Sequence, residues 1–196
     1  MRKRLAALTM ALSALLSACG GMGAPEQYDP VPANTYAAED FAAVDGFLTY
    51  DGDAPSYVGV DVSSHQGDID WARVAAAGVE FAMIRVGYRG YTEGGIFQDR
   101  CFVRNVEGAL AAGLEVGVYF FSQAVTEAEA EEEARQVLEW IAPYDVTWPV
   151  VFDWEQITED DARTDAVDTD TVTACALAFC QRIQEGGYRS AFYFNA

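Results

Sequence analysis

The chain has 196 residues, 51% of them hydrophobic and 13% aromatic, which suits one domain with a sizeable core and excludes a disordered tail. Lys and Arg total 12 against 31 Asp and Glu, a formal charge of -19; so acidic a surface repels phosphate backbones and excludes nucleic acid as a partner. Lysine occurs only at Lys3 and histidine only at His65. The rest of the chain therefore lacks the lysine of a phosphate-binding loop or a Schiff base, and no multi-histidine zinc site can form. Neither a metal nor a cofactor is expected.

Arg2-Lys3-Arg4 precedes a mostly apolar stretch from Leu5 to Ala18, the pattern of an export signal and too short to span a bilayer comfortably. The stretch ends in Leu16-Ser17-Ala18-Cys19, which resembles a bacterial lipobox. Residues 1–18 are thus expected to be a lipoprotein signal peptide, with Cys19 receiving the lipid. Two acyl chains there would hold a soluble, monomeric protein to the outer face of a membrane; the alternative is a plain signal peptide in which Cys19 is incidental. Residues 19–56, rich in Gly, Pro, Ala and acids, are expected to be a flexible tether. Export permits disulfides, but Cys175 and Cys180 are spaced onto different faces of a helix, and buried free thiols are the simpler expectation for these two and Cys101.

From Val58 onward, short apolar runs alternate with amphipathic stretches. The run 58–62 predicts a strand, and Asp68 and Asp70 are start signals for a helix ending near Gly78. Residues 81–86 predict a strand, 99–112 a helix stopped by Gly113, and 116–121 a third strand. Thr126 and Glu129 form a capping box before a helix to about Ile141, whose acidic run Glu127 to Glu133 reads as a solvated face. A strand over 150–155, a helix over 170–185 and a strand over 191–194 follow. About five strands and four helices in strict alternation predict an α/β fold, a TIM-like β/α barrel that is incomplete over 57–196. The chain stops inside an apolar strand pattern, which predicts that it is a fragment of a longer reading frame and, as it stands, neither a closed barrel nor a fully active protein.

Asp153 and Glu155, two apart at the end of a strand, point to the same side of the sheet. α/β barrels place catalytic groups at that strand end. Glycosidic cleavage needs a proton donor and a second carboxylate beside an oxocarbenium-like transition state, and paired carboxylates can divide those roles, the proton favouring Glu155. The spacing alone equally fits a cap or an ion pair. Asp61 ends the first strand and would converge on the same mouth; a salt bridge to Arg85 or another Arg is the simpler account of it.

The run GVDVSSHQGDIDW from Gly59 resembles the opening motif of family 25 lysozymes. The resemblance continues through FAMIRVGYRGYTEGG, FVRNVEGALAAGLEVGVYFFSQAVTEAEAEEEA and WPVVFDWE, covering nearly everything from Gly59 to Ala196. It implies a modified β/α barrel that hydrolyses the β-1,4 bond between N-acetylmuramic acid and N-acetylglucosamine in peptidoglycan. Carried over by position, the resemblance makes Glu155 the general acid and Asp153 and Asp61 its active-site aspartates, which orient or stabilise the sugar. Tyr119 falls on an aromatic position of a Tyr-x-Phe-Ser strand and lines the sugar site or packs in the core; Tyr88 and Arg85 are further substrate-binding candidates. The family pattern continues to a Trp-x-Tyr segment and a final Asp-x-Asn strand, neither of which occurs before Ala196. The competing readings are a non-catalytic lipoprotein that binds cell-wall glycan on a degenerate barrel, and a hydrolase of other N-acetylglucosamine polymers such as chitin.

Overall fold

The computed structural model describes residues 34–44, 46–157 and 162–194. The expected signal peptide and Cys19 lie outside the described residues. All regular elements fall within the unit Ala37–Ala196.

The first element corrects the reading of 19–56 as tether throughout. Strands β1 (Phe41–Val44) and β2 (Phe47–Tyr50) pair antiparallel as a hairpin. Gly46, at φ 87°, supplies the left-handed turn residue, and Phe47 packs against the main core. The alternation in Phe47-Leu48-Thr49-Tyr50 is short, and acids and glycines on either side mask it.

Beyond the hairpin the chain alternates as expected: β3 (Gly59–Val62), α1 (Trp71–Ala76), β4 (Phe81–Arg89), a short β5 (Ile96–Gln98), α2 (Phe102–Ala111), β6 (Glu115–Ser122), α3 (Glu127–Ile141), β7 (Val150–Trp154), α4 (Thr169–Glu185) and β8 (Ser190–Phe194). Local signals set the helix starts. Asp70 caps α1 by accepting from Arg73 N–H, Thr126 caps α3 through Glu129 N–H, and Asp168 caps α4 through Thr171 N–H. The Thr126 box closes differently from expectation: Glu129 accepts from Val125 N–H at 2.9 Å, one residue before the cap.

Strands β3, β4, β6, β7 and β8 lie in that order, all parallel, with β5 antiparallel on β4. The fold is α/β with a mainly parallel sheet and four helices. Among the described residues no pairing joins β3 to β8, so the sheet is an open segment of a barrel.

The helix-side face of the sheet is apolar: Ala82, Ile84, Val116, Val118, Phe120, Val150 and Phe152 pack under Phe102 and Val106 of α2, Val137 and Ile141 of α3, and Phe179 and Ile183 of α4. Fitting α1 against α2 requires Gly108, because a Cβ there would lie 2.3 Å from the Trp71 ring. Residues of the opposite parity face the barrel interior, and that face carries the site.

The acidic run on α3 is not the uniform solvated face the composition suggests. Glu133 is fully buried on the stripe of Ala130, Ala134, Val137 and Ile141. It accepts from Arg89 Nε at 2.6 Å and from Ser122 Oγ at 2.6 Å. Burial pushes its carboxyl up to about 7, against the lowering effect of Ser122 and Arg89. Glu129 also turns inward, binding Arg163 at 2.6 Å. Cys101, Cys175 and Cys180 are free thiols, the first two buried.

Candidate active site

Strand register assembles the site. On the interior face Asp61 pairs with Met83 and Met83 with Gly117; Arg85 pairs with Tyr119, Tyr119 with Val151 and Val151 with Ala191; Phe121 pairs with Asp153 and Asp153 with Tyr193. These rows run across the C-terminal half of the sheet. They line a cavity of about 430 Å³ bounded by Asp61, Met83, Tyr119, Val151, Asp153, Glu155, Ala191, Phe192 and Tyr193. The expected triad of Asp61, Asp153 and Glu155 is therefore brought together, with Tyr119 beside it. Asp153 lies inside β7, and Glu155 sits one residue past the strand end. That offset places Glu155 at the lip while Asp153 is only 7% exposed.

Burial raises the Asp153 carboxyl to about 7, and the negative charges of Glu155 and Asp61 push it the same way, against the weaker pull of Arg85. Its buried Oδ1 has no hydrogen-bond partner among the described residues. The proton had been expected to favour Glu155; in this geometry the carboxyl with the raised affinity for it is Asp153. Asp61 is raised mainly by burial, while Tyr119 and Arg85 hold it down. The Tyr119 hydroxyl shares a hydrogen bond with Asp61, and burial together with that negative neighbour raises its own pKa.

The salt bridge offered as the simpler account of Asp61 does not form. Arg85 instead pairs with the buried Asp99 at 2.7 Å and donates to Ser64 Oγ at 3.1 Å. Burial alone would raise Asp99, but the backbone N–H groups of Cys101 and Ser64 and the Arg85 guanidinium outweigh it and lower its pKa. Paired with Asp99, Arg85 still lowers Asp61 and Asp153 through its charge, but by less than burial raises them.

Tyr88 is not in that cavity. It lines an adjoining one of about 570 Å³ with Arg85, His65, Tyr91, Arg100 and Phe121, and the Arg85 guanidinium lies 5.4 Å from its ring centre. Arg85 likewise lines this second cavity and not the first, to which it is joined by register through Tyr119. Among the described residues no group of three or more His, Cys, Asp or Glu side chains is disposed to hold a metal ion.

Sequence reasoning missed the shell behind Glu155. Gln123, fully buried just past β6, donates from Nε2 to the Glu155 carbonyl at 3.1 Å and to the Ser122 carbonyl at 2.8 Å. Nothing in its sequence context marks it. Glu133 could have been found, because it falls on the helical period of the apolar residues around it.

The model of glycosyl hydrolases family 25 matches residues 60–196. The chain belongs to that family. Among curated relatives, Lysozyme M1 of Streptomyces globisporus is 38% identical over 71 residues, which is 36% of this chain and 22% of that protein. Among solved structures, the modular autolysin LytC from Streptococcus pneumoniae aligns with TM-score 0.64 and 24% identity over 79% of this chain and 37% of its own. A family 25 glycosyl hydrolase from Bacillus anthracis aligns with TM-score 0.55 and 21% identity, over 81% and 65% of the two chains. These likenesses concern the fold, and this family 25 chain spans less than two thirds of each relative's length.

Proposed function

We propose that the protein is a peptidoglycan muramidase that hydrolyses the β-1,4 bond between N-acetylmuramic acid and N-acetylglucosamine. The observation that carries the reading is the convergence of Asp61, Asp153 and Glu155 on one cavity at the C-terminal ends of parallel strands, in a chain of family 25. A lysozyme, an autolysin and an autolysin bound to a synthetic peptidoglycan ligand are among its relatives, which favours peptidoglycan over other N-acetylglucosamine polymers.

In this mechanism the Asp153 carboxyl holds a proton near neutrality, because burial and the negative charges of Glu155 and Asp61 raise its pKa. When substrate excludes water from the cavity, the proton held by Asp153 passes to Glu155 at the lip, and Glu155 as general acid delivers it to the leaving glycosidic oxygen, which leaves Asp153 ionised beside the sugar. Asp61, oriented by Tyr119, stays beside the developing positive charge of the sugar. Tyr119 offers a face to the ring, and Arg85 and Tyr88 extend the substrate surface into the adjoining cavity. No cofactor enters these steps. We further propose export, removal of residues 1–18 and lipid attachment at Cys19, which would tether a monomeric enzyme to the outer face of the membrane next to its substrate.

The test is Glu155→Gln, which removes the transferable proton and keeps the shape. Hydrolysis of purified peptidoglycan should fall by at least ~100-fold while glycan binding persists. Wild-type lysis by the variant would overturn the assignment. Binding without cleavage by the wild-type protein would favour the glycan-binding lipoprotein instead.

A further inference from the structure

Glu155 is the first residue after β7, which ends at Trp154. A general acid must be held close to one geometry, since a displacement of about 1 Å can cost on the order of a hundredfold in rate. We propose that Gln123 is the positioning residue for Glu155, acting through the Glu155 main-chain carbonyl. This rests on the role given to Glu155 above.

Both ends of the Gln123 amide are engaged. Nε2 faces two carbonyl oxygens, those of Ser122 and Glu155, and Oε1 accepts from the Thr164 hydroxyl at 3.1 Å. Only one orientation of the amide satisfies all three, because carbonyls cannot donate. The main chain of Gln123 is held as well: Arg163 Nη1 donates to its carbonyl at 2.7 Å, and Arg163 Nη2 binds Glu129 of α3 at 2.6 Å. Arg163 N–H donates to the Tyr91 carbonyl at 2.9 Å. The chain following β7 is thereby tied at 163 and 164 to the end of β6, to α3 and to the loop after β4. Gln123 is the point where this buried frame meets the backbone of Glu155.

Because Gln123 and Thr164 are buried and every link of the frame is a hydrogen bond, its members have little freedom to move. Removing the Nε2 donor leaves the Glu155 carbonyl without that partner and lets the carboxyl shift, while the cavity walls on β4, β6 and β7 stay in place. The signature is a loss in kcat with little change in KM, since substrate contacts a wall that has not moved.

Gln123→Met keeps the volume and deletes the donor. On soluble peptidoglycan fragments its kcat should fall about tenfold to a hundredfold with KM within about twofold of wild type. Gln123→Glu supplies a rescue arm. When ionised it opposes two carbonyl oxygens, and when protonated it can donate again, so its rate relative to wild type should recover as pH is lowered. A merely structural role would predict rate losses that follow the melting temperature and no recovery on acidification. A Gln123→Met protein with wild-type kcat overturns the proposal. Should that variant not fold, a Gln123→Glu rate in constant ratio to wild type across pH overturns it instead. If the wild-type protein itself does not hydrolyse peptidoglycan, the functional reading fails, and the positioning claim is then read from the 13C carboxyl signal of Glu155. That signal should move in whichever of Gln123→Met and Gln123→Glu folds and stay put in Gln181→Met, a change on the exposed side of α4. An unmoved signal in the Gln123 variant refutes it.

Discussion

Replacing Glu133 by Ala tests the reading of the α3 interior. The side chain is 0% exposed and accepts from Arg89 Nε and Ser122 Oγ, both at 2.6 Å. Truncating one partner of a buried charge pair costs about 3–5 kcal/mol. Arg89 keeps a second carboxylate, Glu132 at 2.9 Å, and carbonyl partners at Gly94 and Glu129, so the lower end, about 3 kcal/mol, is expected. For a domain of this size that lowers Tm by about 6–12 °C, measurable by calorimetry or near-UV circular dichroism. A loss under about 1 kcal/mol would refute the buried-pair reading and return Glu133 to the class of solvated residues. The pH dependence supplies an independent sign. The folded pKa of about 7 lies above the ordinary glutamate value of 4.5, so the folded state holds the proton more tightly. The stabilising contribution of protonated Glu133 is fully present below 4.5 and is lost as pH rises through 7. Glu133→Gln mimics the protonated form; its stability relative to wild type should therefore rise between pH 5 and 8. A relative fall over that range would mean that the ionised pair is the favoured state.

Asp153→Asn should abolish or displace the alkaline limb of the rate profile, because the carboxyl pushed up to about 7 is the one removed; a variant with the wild-type limb would show that another group sets it. Arg163→Met breaks the link between Glu129 and the Gln123 carbonyl, and it should lower hydrolysis in steady-state assays without weakening glycan binding; unaltered turnover would detach this frame from catalysis. Cys19→Ala should eliminate incorporation of a fatty-acid analogue, and equal labelling of variant and parent would rule out Cys19 as the anchor.

Much of the architecture was legible from the chain because its signals are local. Strand parity alone put Asp153 and Glu155 on one side. Apolar runs of alternating length marked the five parallel strands, and Asp70 and Thr126 precede helices because their side chains cap backbone N–H groups within three residues; the Asp168 cap of α4 went unread. The motif series from Gly59 onward marked the family. Partner choice was not legible, because it depends on residues far apart in sequence. Arg85 could have paired with Asp61 on the neighbouring strand, but Asp99 after β5 lies 2.7 Å from its guanidinium and has the supporting N–H groups of Ser64 and Cys101. The position of the proton also had to await the fold. In sequence Asp153 and Glu155 are alike, and only the fold, by ending β7 at Trp154, buries Asp153 and raises its pKa while Glu155 sits at the lip. Gln123 and Glu133 show the same limit: side chains that would be unremarkable on a surface become structural once the packing of α3 on the sheet withdraws them from water, where every polar atom needs a partner.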